Sequence, residues 1–386
     1  MQFRKVVGQQ EVKSRLIKGI ADGRVAHTQL FLGPEGSGAL PMAIAYAQYI
    51  NCNNKSENDS CGKCPSCVKF EKYSHPDLHF YFPNTTTESV KTFPESKLFL
   101  KEWRQYLASC SSYAIKNNWH SFLGVGNKQG LINVRDAKDI VSKMVMKPYE
   151  AKYKAVIVWL AERMNAESSN KLLKTLEEPP SNTLILLVAE RYELIIPTVR
   201  SRAQLVKFNK INDDDIKLAL NSIGNESQDE NNISNIIKLA KGNWNEAVTL
   251  MENKELSNDY FLKFRQWLRY CFVPKNHVEL FVYNQELARM GREKQKSFLN
   301  FGLSIVHNSI MVNNNNIDSV KANGEEFDFT KSFAPFINDA NHIEIYKLLN
   351  EAIYHIERNA HGGILFTDLS LKLVRLLALG KVEVKK

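Results

Sequence analysis

"TQLFLGPEGSGALPMA" (Thr28–Ala43) decides how the first half of this chain is read. The apolar run Thr28–Leu32 leads into a glycine-rich loop, Gly33–Gly38, and then into the helix-like "MAIAYAQYI". Strand, glycine loop and helix in that order are the context of a phosphate-cradling loop, Gly-x-x-x-x-Gly-Lys-Ser/Thr. Gly33, Gly36 and Gly38 keep the frame, but Ala39 and Leu40 stand where the Lys and the Ser/Thr belong. Backbone amides at a helix N-terminus still offer an anion nest. The side chains that would reach phosphate and hold Mg²⁺ are missing.

Four further runs read as strands: "LHFYF" (Leu78–Phe82), "KAVIVWL" (Lys154–Leu160), "TLILLVA" (Thr183–Ala189) and "AQLVKF" (Ala203–Phe208). Near-continuous apolar runs are the mark of strands covered on both faces. "NAESSNKLLKTLEEPP" places Leu172, Leu173 and Leu176 at helical spacing and stops at Pro179-Pro180. Strand, helix, strand, repeated, predicts a parallel sheet in an α/β domain over residues 1–208. Residues 84–130 break the rhythm and read as an insertion: a polar loop, then "FLKEWRQYLASCSSYAIKNNWHSFLG", a helical stretch expected to expose its aromatics. A helix resumes from about Val134 to Met146. Residues 209–255 read as short helices. Residues 256–386 read as all-helical, with "MVNNNNIDSVKANGEEFDFTKS" (Met311–Ser332) expected as a loop.

Three constellations bear on chemistry. In "AVIVWLAERM", Trp159 and Leu160 occupy the positions where a metal-holding acid pair is expected at the end of a buried strand, and Glu162 lies beyond that end. Cys52-x₈-Cys61-x₂-Cys64-x₂-Cys67 has the spacing of a closed four-thiolate Zn²⁺ site, which is structural because no coordination position is left open; nearby His75 is an alternative ligand. In "IIPTVRSRAQ", Arg200 and Arg202 flank Ser201 just ahead of the last strand. A forked guanidinium there can reach a phosphate on a neighbouring molecule. On spacing alone, a solvated basic turn is the better account.

The 386 residues are enough for two or three domains, and clustered cysteines in a reducing compartment favour metal over disulfide. No run of 18 apolar residues is present and the N-terminus lacks a signal-type core, so a cytoplasmic location is expected. The net charge of +9 is compatible with a polyanionic partner.

Taken together, "VVGQQEVKSRL", "ADGRVAHTQLFLGPEGSG", the four cysteines, "HPDL", "NAESSNKLLKTLEEPPSNTLILLVAE" and "PTVRSRAQ" resemble the delta-prime subunits of the bacterial DNA polymerase III clamp loader, in the AAA+ superfamily. The resemblance covers most of residues 4–208 and weakens beyond, although "ERNAHGGILFTDLSLKLVRLL" is similar to the family's collar helices. Residues 84–130 have no counterpart in it. It implies a RecA-like AAA+ domain with a zinc module (52–67), a helical lid (209–255) and an oligomerising collar (256–386). It further implies no working ATP site in this chain, and a Ser-Arg-Cys motif whose arginine acts in trans on ATP held by a neighbour. Here that motif reads Ser201-Arg202-Ala203, with the arginine intact. In "KGNWNEAV", Glu246 stands where the lid's nucleotide-sensing arginine is expected. The implied partners are gamma/tau-like ATPase subunits, delta-like subunits, the sliding clamp and primed DNA reached through the assembly. Two other readings compete: an active AAA+ ATPase with an atypical loop, and a zinc-stabilised DNA-binding module acting alone.

Overall fold

The computed structural model describes residues 1–125, 128–223, 230–252, 256–272, 277–316, 320 and 324–384. The chain divides into two compact units: Met1–Ser222 with Lys241–Glu246, and Ile223–Ala240 with Ala247–Lys386.

The first unit is built on a parallel sheet of β1 (Thr28–Leu32), β2 (Leu78–Tyr81), β3 (Lys154–Trp159), β4 (Thr183–Ala189) and β5 (Gln204–Lys207), in the order β2-β3-β4-β1-β5. Every residue of β3 and β4 is buried, as their unbroken apolar runs require. β5, on the sheet's edge, buries only Val206. Helices α1 (Gln10–Ala21), α2 (Ala39–Ile50), α3 (Pro65–Glu71), α4 (Leu100–Ser109), α5 (Lys116–Phe122), α6 (Val134–Val145), α7 (Ala166–Glu177), α8 (Pro197–Arg200) and α9 (Asp213–Ile223) complete the series to Ile223. One core joins α2 to the sheet through Ile44, Ala47 and Phe31; the other joins α6 and α7 to it through Ile140, Met144, Leu172 and Leu176. An Asn133–Asp136 capping box starts α6, closing two backbone donors that a helix end otherwise leaves open.

The insertion departs from expectation. Its aromatics face inward: Trp103 and Trp119 are fully buried, and Tyr106 and Tyr113 nearly so, while Phe122 stays exposed. Trp103 stacks on Phe82 at 4.3 Å and packs against Trp159 at 5.0 Å. Side chains of this size contribute about 1.5–3 kcal/mol each when buried, so an insertion that carries them can extend the core. Its two ends are pinned together where Asn84 and Leu131 exchange backbone hydrogen bonds, both at 3.1 Å.

The second unit is helical: α10 (Glu230–Ala240), α11 (Trp244–Glu252, its first turn in the first unit), α12 (Leu256–Phe272), α13 (His277–Arg289), α14 (Arg292–Asn313), α15 (Glu325–Phe333), α16 (His342–Glu357) and α17 (Gly362–Val384). Phe264, Trp267, Phe298 and Phe301 form its aromatic centre, and Trp267 Nε1 donates to Ser370 Oγ at 2.8 Å. The loop expected over Met311–Ser332 is shorter than its polarity implied. α14 runs to Asn313 and α15 begins at Glu325, where Glu325, Glu326 and Asp328 favour a helix N-terminus. Residues 317–319 and 321–323 lie outside the described residues.

Candidate functional site

The loop Gly33–Gly38 leaves the C-terminal end of β1 and enters α2, whose twelve residues are all buried. Gly36 and Gly38 have φ of 75° and 90°. A Cβ on Gly36 would lie 1.8 Å from Asn243 Oδ1, so no other residue fits. The Gly36 carbonyl accepts from the Trp244 N–H at 3.2 Å, and the Gly33 N–H donates to Ala189 at 3.1 Å. The turn thus needs its glycines, while Ala39 and Leu40 are buried apolar residues. Trp159 and Leu160, at the end of β3, are buried beside it.

Tyr113 and Ala114 of the insertion line the hollow over the loop together with Trp159, Glu190 and Asn245. Glu190 follows β4 directly; burial, then the Glu35 and Glu162 carboxylates, push its carboxyl up to about 8. Burial also raises Glu162, whose Oε1 accepts the Glu190 N–H at 3.1 Å. Glu190 lines the hollow together with Glu35 of the loop, and Lys116 and Arg191 partly offset the push on its carboxyl. Glu246 is held at the start of α11, where its N–H donates to Asn243 Oδ1 at 3.3 Å.

Cys52, Cys61, Cys64 and Cys67 converge, with all four sulfurs within 4.8 Å of one another. Cys61 and Cys67 are 3.9 Å apart, against about 3.8 Å for the edge of a tetrahedron with 2.3 Å metal–sulfur bonds. Backbone N–H groups of Lys63 and Cys64 point at Cys61 Sγ, at 3.4 and 3.3 Å. They lower its thiol to about 6, whereas burial raises Cys52 and Cys67. Cys64 Sγ also accepts from Cys67 N at 3.4 Å, starting α3. The donor set fits one tetrahedral ion. His75 is not part of it: Nδ1 accepts from Asp77 N at 3.1 Å, and Nε2 faces Glu150 Oε1 at 3.3 Å.

Ser201 ends α8, and Arg202 follows, two residues before β5. Because β5 runs parallel to β1, with Gln204 opposite Gln29, Arg202 lies at the end of the sheet opposite the glycine loop. A five-residue strand separates them by roughly 16 Å. Arg202 Nε donates to Glu177 Oε1 at 2.6 Å, and Nη1 donates to the Thr198 carbonyl at 2.9 Å and Ser201 Oγ at 3.2 Å. Arg200 instead stacks on Tyr192 at 4.7 Å.

The sequence matches the family described as "DNA polymerase III, delta subunit" over residues 8–212. The chain belongs to that family. Beyond the family match, the delta-family chain is 24% identical over 253 residues to DNA polymerase III subunit tau of Bacillus subtilis (strain 168), covering 65% of this chain and 37% of that protein. It is 22% identical over 301 residues to DNA polymerase III subunit gamma of Buchnera aphidicola subsp. Schizaphis graminum (strain Sg), covering 77% and 70%. The chain therefore spans little more than a third of the tau relative's length. A solved gamma subunit-related protein of Thermotoga maritima MSB8 aligns over 96% of this chain and 99% of that one, at 13% identity and a TM-score of 0.40.

In the delta-family chain the candidate residues fall into three separate places. The four cysteines meet, the loop residues meet Trp159 and Leu160, and Ser201 and Arg202 stand apart at the other end of the sheet. Sequence reasoning did not reach Tyr113, Glu190 or Glu177. The signal for Tyr113 was present: an insertion with Trp103, Tyr106, Tyr113 and Trp119 carries more aromatic surface than a solvated segment tolerates.

Proposed function

We propose that this chain is a non-hydrolysing, delta-prime-type subunit of a DNA polymerase III clamp loader that supplies Arg202 to nucleotide held by a neighbouring subunit. Family membership supports the clamp-loader assignment. The finer role is supported by one observation: Arg202 and the glycine loop lie at opposite ends of the same sheet, so Arg202 does not reach its own loop, which favours a role toward another molecule. Ala39, Leu40, Trp159 and Leu160 in place of phosphate- and metal-binding side chains support the absence of turnover in this chain. The cysteine cluster fits a structural Zn²⁺ that ties the segment after α2 to α3 and supplies no open coordination position. Subunits of the gamma/tau kind are the neighbours this reading requires, with a delta-like subunit, the sliding clamp and primed DNA engaged by the assembly, in the cytoplasm.

The test is the clamp- and DNA-stimulated ATPase of a reconstituted loader containing Arg202→Ala. A trans arginine contributes about 10³–10⁵ in rate at the site it serves. Total turnover falls by less, because other sites remain. Assembly mass stays unchanged. Wild-type turnover and clamp loading with Arg202→Ala would refute the assignment, as would ATP turnover by the isolated chain that mutation of Gly33–Gly38 abolishes.

A further inference from the structure

The tip of the insertion is held in one conformation by several independent contacts. Ser111 and Ser112, immediately ahead of Tyr113, both have positive φ, 48° and 68°, a conformation that costs a non-glycine residue energy and persists only where its surroundings enforce it. They are enforced here. The Ser112 N–H donates to Leu107 at 2.8 Å, its Oγ bonds Tyr73 Oη at 2.8 Å, and the Tyr113 N–H donates to Cys110 at 2.8 Å. Past the tip, Tyr106 Oη accepts from Ile115 N and donates to Ile115 O, both at 2.8 Å.

The strained turn aims one side chain. Tyr113 is 4% exposed. Its hydroxyl accepts the Val7 N–H at 2.8 Å and lies 3.4 Å from where a Gly38 Cβ would stand. Its ring packs against Trp244 at 6.1 Å. One aromatic group therefore spans from a backbone amide near the N-terminus to the last glycine of the loop, in contact with the segment that follows α10. A hydrogen-bonding ring in that position satisfies the amide, lines the hollow over the loop and bridges three separate stretches of chain.

We propose that the tip of the insertion, Ser111–Ile115 with Tyr113 at its centre, is an internal ligand of the glycine loop, occupying the hollow in which a nucleotide would sit. Nucleotide is then excluded by occupancy as well as by the residues at positions 39 and 40. The proposal rests on reading Gly33–Gly38 as a former nucleotide loop, and its failure is distinguishable from failure of that reading.

The experiment measures Mg²⁺-dependent binding of a fluorescent ADP analogue to the full chain. Wild type and Ala39→Lys/Leu40→Thr bind none, because restored side chains still meet an occupied hollow. Adding Tyr113→Ala to that pair produces saturable binding at least about tenfold above background. Binding by Ala39→Lys/Leu40→Thr alone, equal to that of the triple variant, overturns the proposal while leaving the non-hydrolysing reading of the natural chain intact. No binding by a folded triple variant also overturns it. Tyr113→Phe supplies a second arm that does not depend on the loop: it keeps the ring and loses only the Val7 bond. Hydrogen exchange at the Val7 amide speeds up about tenfold or more in Tyr113→Phe; an unchanged rate shows that Tyr113 does not hold that amide, and the proposal falls.

Discussion

Arg202 and Glu177 form a forked pair: Nε and Nη2 of the guanidinium both reach Oε1 of the carboxylate, and Nη1 is held by Thr198 and Ser201. The carboxylate lies on the edge of the fork that a phosphate would take. Both side chains are partly exposed, 30% and 46%, so the pair contributes only about 0–1 kcal/mol, and under the proposed role a phosphate would displace Glu177 at little cost. Glu177→Gln is therefore expected to change chemical-denaturation stability by less than about 1 kcal/mol. A loss of several kcal/mol would mean that the pair supports the fold rather than presenting the arginine.

Arg202→Lys is expected to behave like Arg202→Ala in the assembled loader, because an ammonium cannot reproduce the planar fork. Arg200→Ala is the control. It removes a cation stacked on Tyr192, worth about 0.5–1 kcal/mol of stability, and leaves stimulated ATPase near wild type. The comparison is stimulated turnover with all three variants at matched assembly mass. If Arg200→Ala is the more damaging change, the assignment moves to Arg200.

Freshly prepared, reduced protein is expected to carry about one zinc per chain, as four thiolates in tetrahedral reach imply. Cys64→Ser should lower zinc content and melting temperature together, since Cys64 also starts α3. Elemental analysis and a thermal melt, with and without a chelator, read both. Metal-free protein with an unchanged melt would rule the site out.

Glu190 sets a pH dependence whose sign follows from its raised carboxyl. The unfolded chain releases this proton near 4.5, and the folded chain near 8. Below 4.5 both states hold the proton and Glu190 costs nothing. Between 4.5 and 8 the cost of keeping it folded grows, and above 8 it is complete. Glu190→Gln is therefore expected to stabilise the protein more at pH 8.5 than at pH 5, by roughly 1–3 kcal/mol. Equal gains at both pH values would show that Glu190 titrates normally.

Trp103→Ala tests whether the insertion belongs to the core. Trp103 is fully buried between Phe82, Trp119 and Trp159, so its removal should cost about 3–5 kcal/mol. A cost below about 1 kcal/mol, as for an exposed side chain, would contradict that burial.

The sheet was legible because its strands are short, apolar and bounded by glycine, proline or polar residues. All five sit within two residues of where their apolar runs place them. The cysteine cluster was legible because ligand spacing is a local property. The insertion's aromatics were not, because helical spacing alone does not say which face meets the protein, and Trp103 faces inward only because Phe82 and Trp159 are there to receive it. Glu177 and Glu190 were hidden for a related reason. Each acquires its role from a residue far away in sequence or across the sheet, and no local pattern marks such a pair.

Helix α2 is enclosed on every side, from Ala39 to Ile50. Its amide hydrogens can meet water only when the first unit opens as a whole, so their exchange should run on the clock of global unfolding. The glycine turn is the N-terminal end of that slowest segment. Mutations there are filtered first by whether the newly made chain survives in the cell and only afterwards by what it catalyses. Under the proposed role, a glycine turn in this position is kept because the fold needs it, whether or not it binds anything.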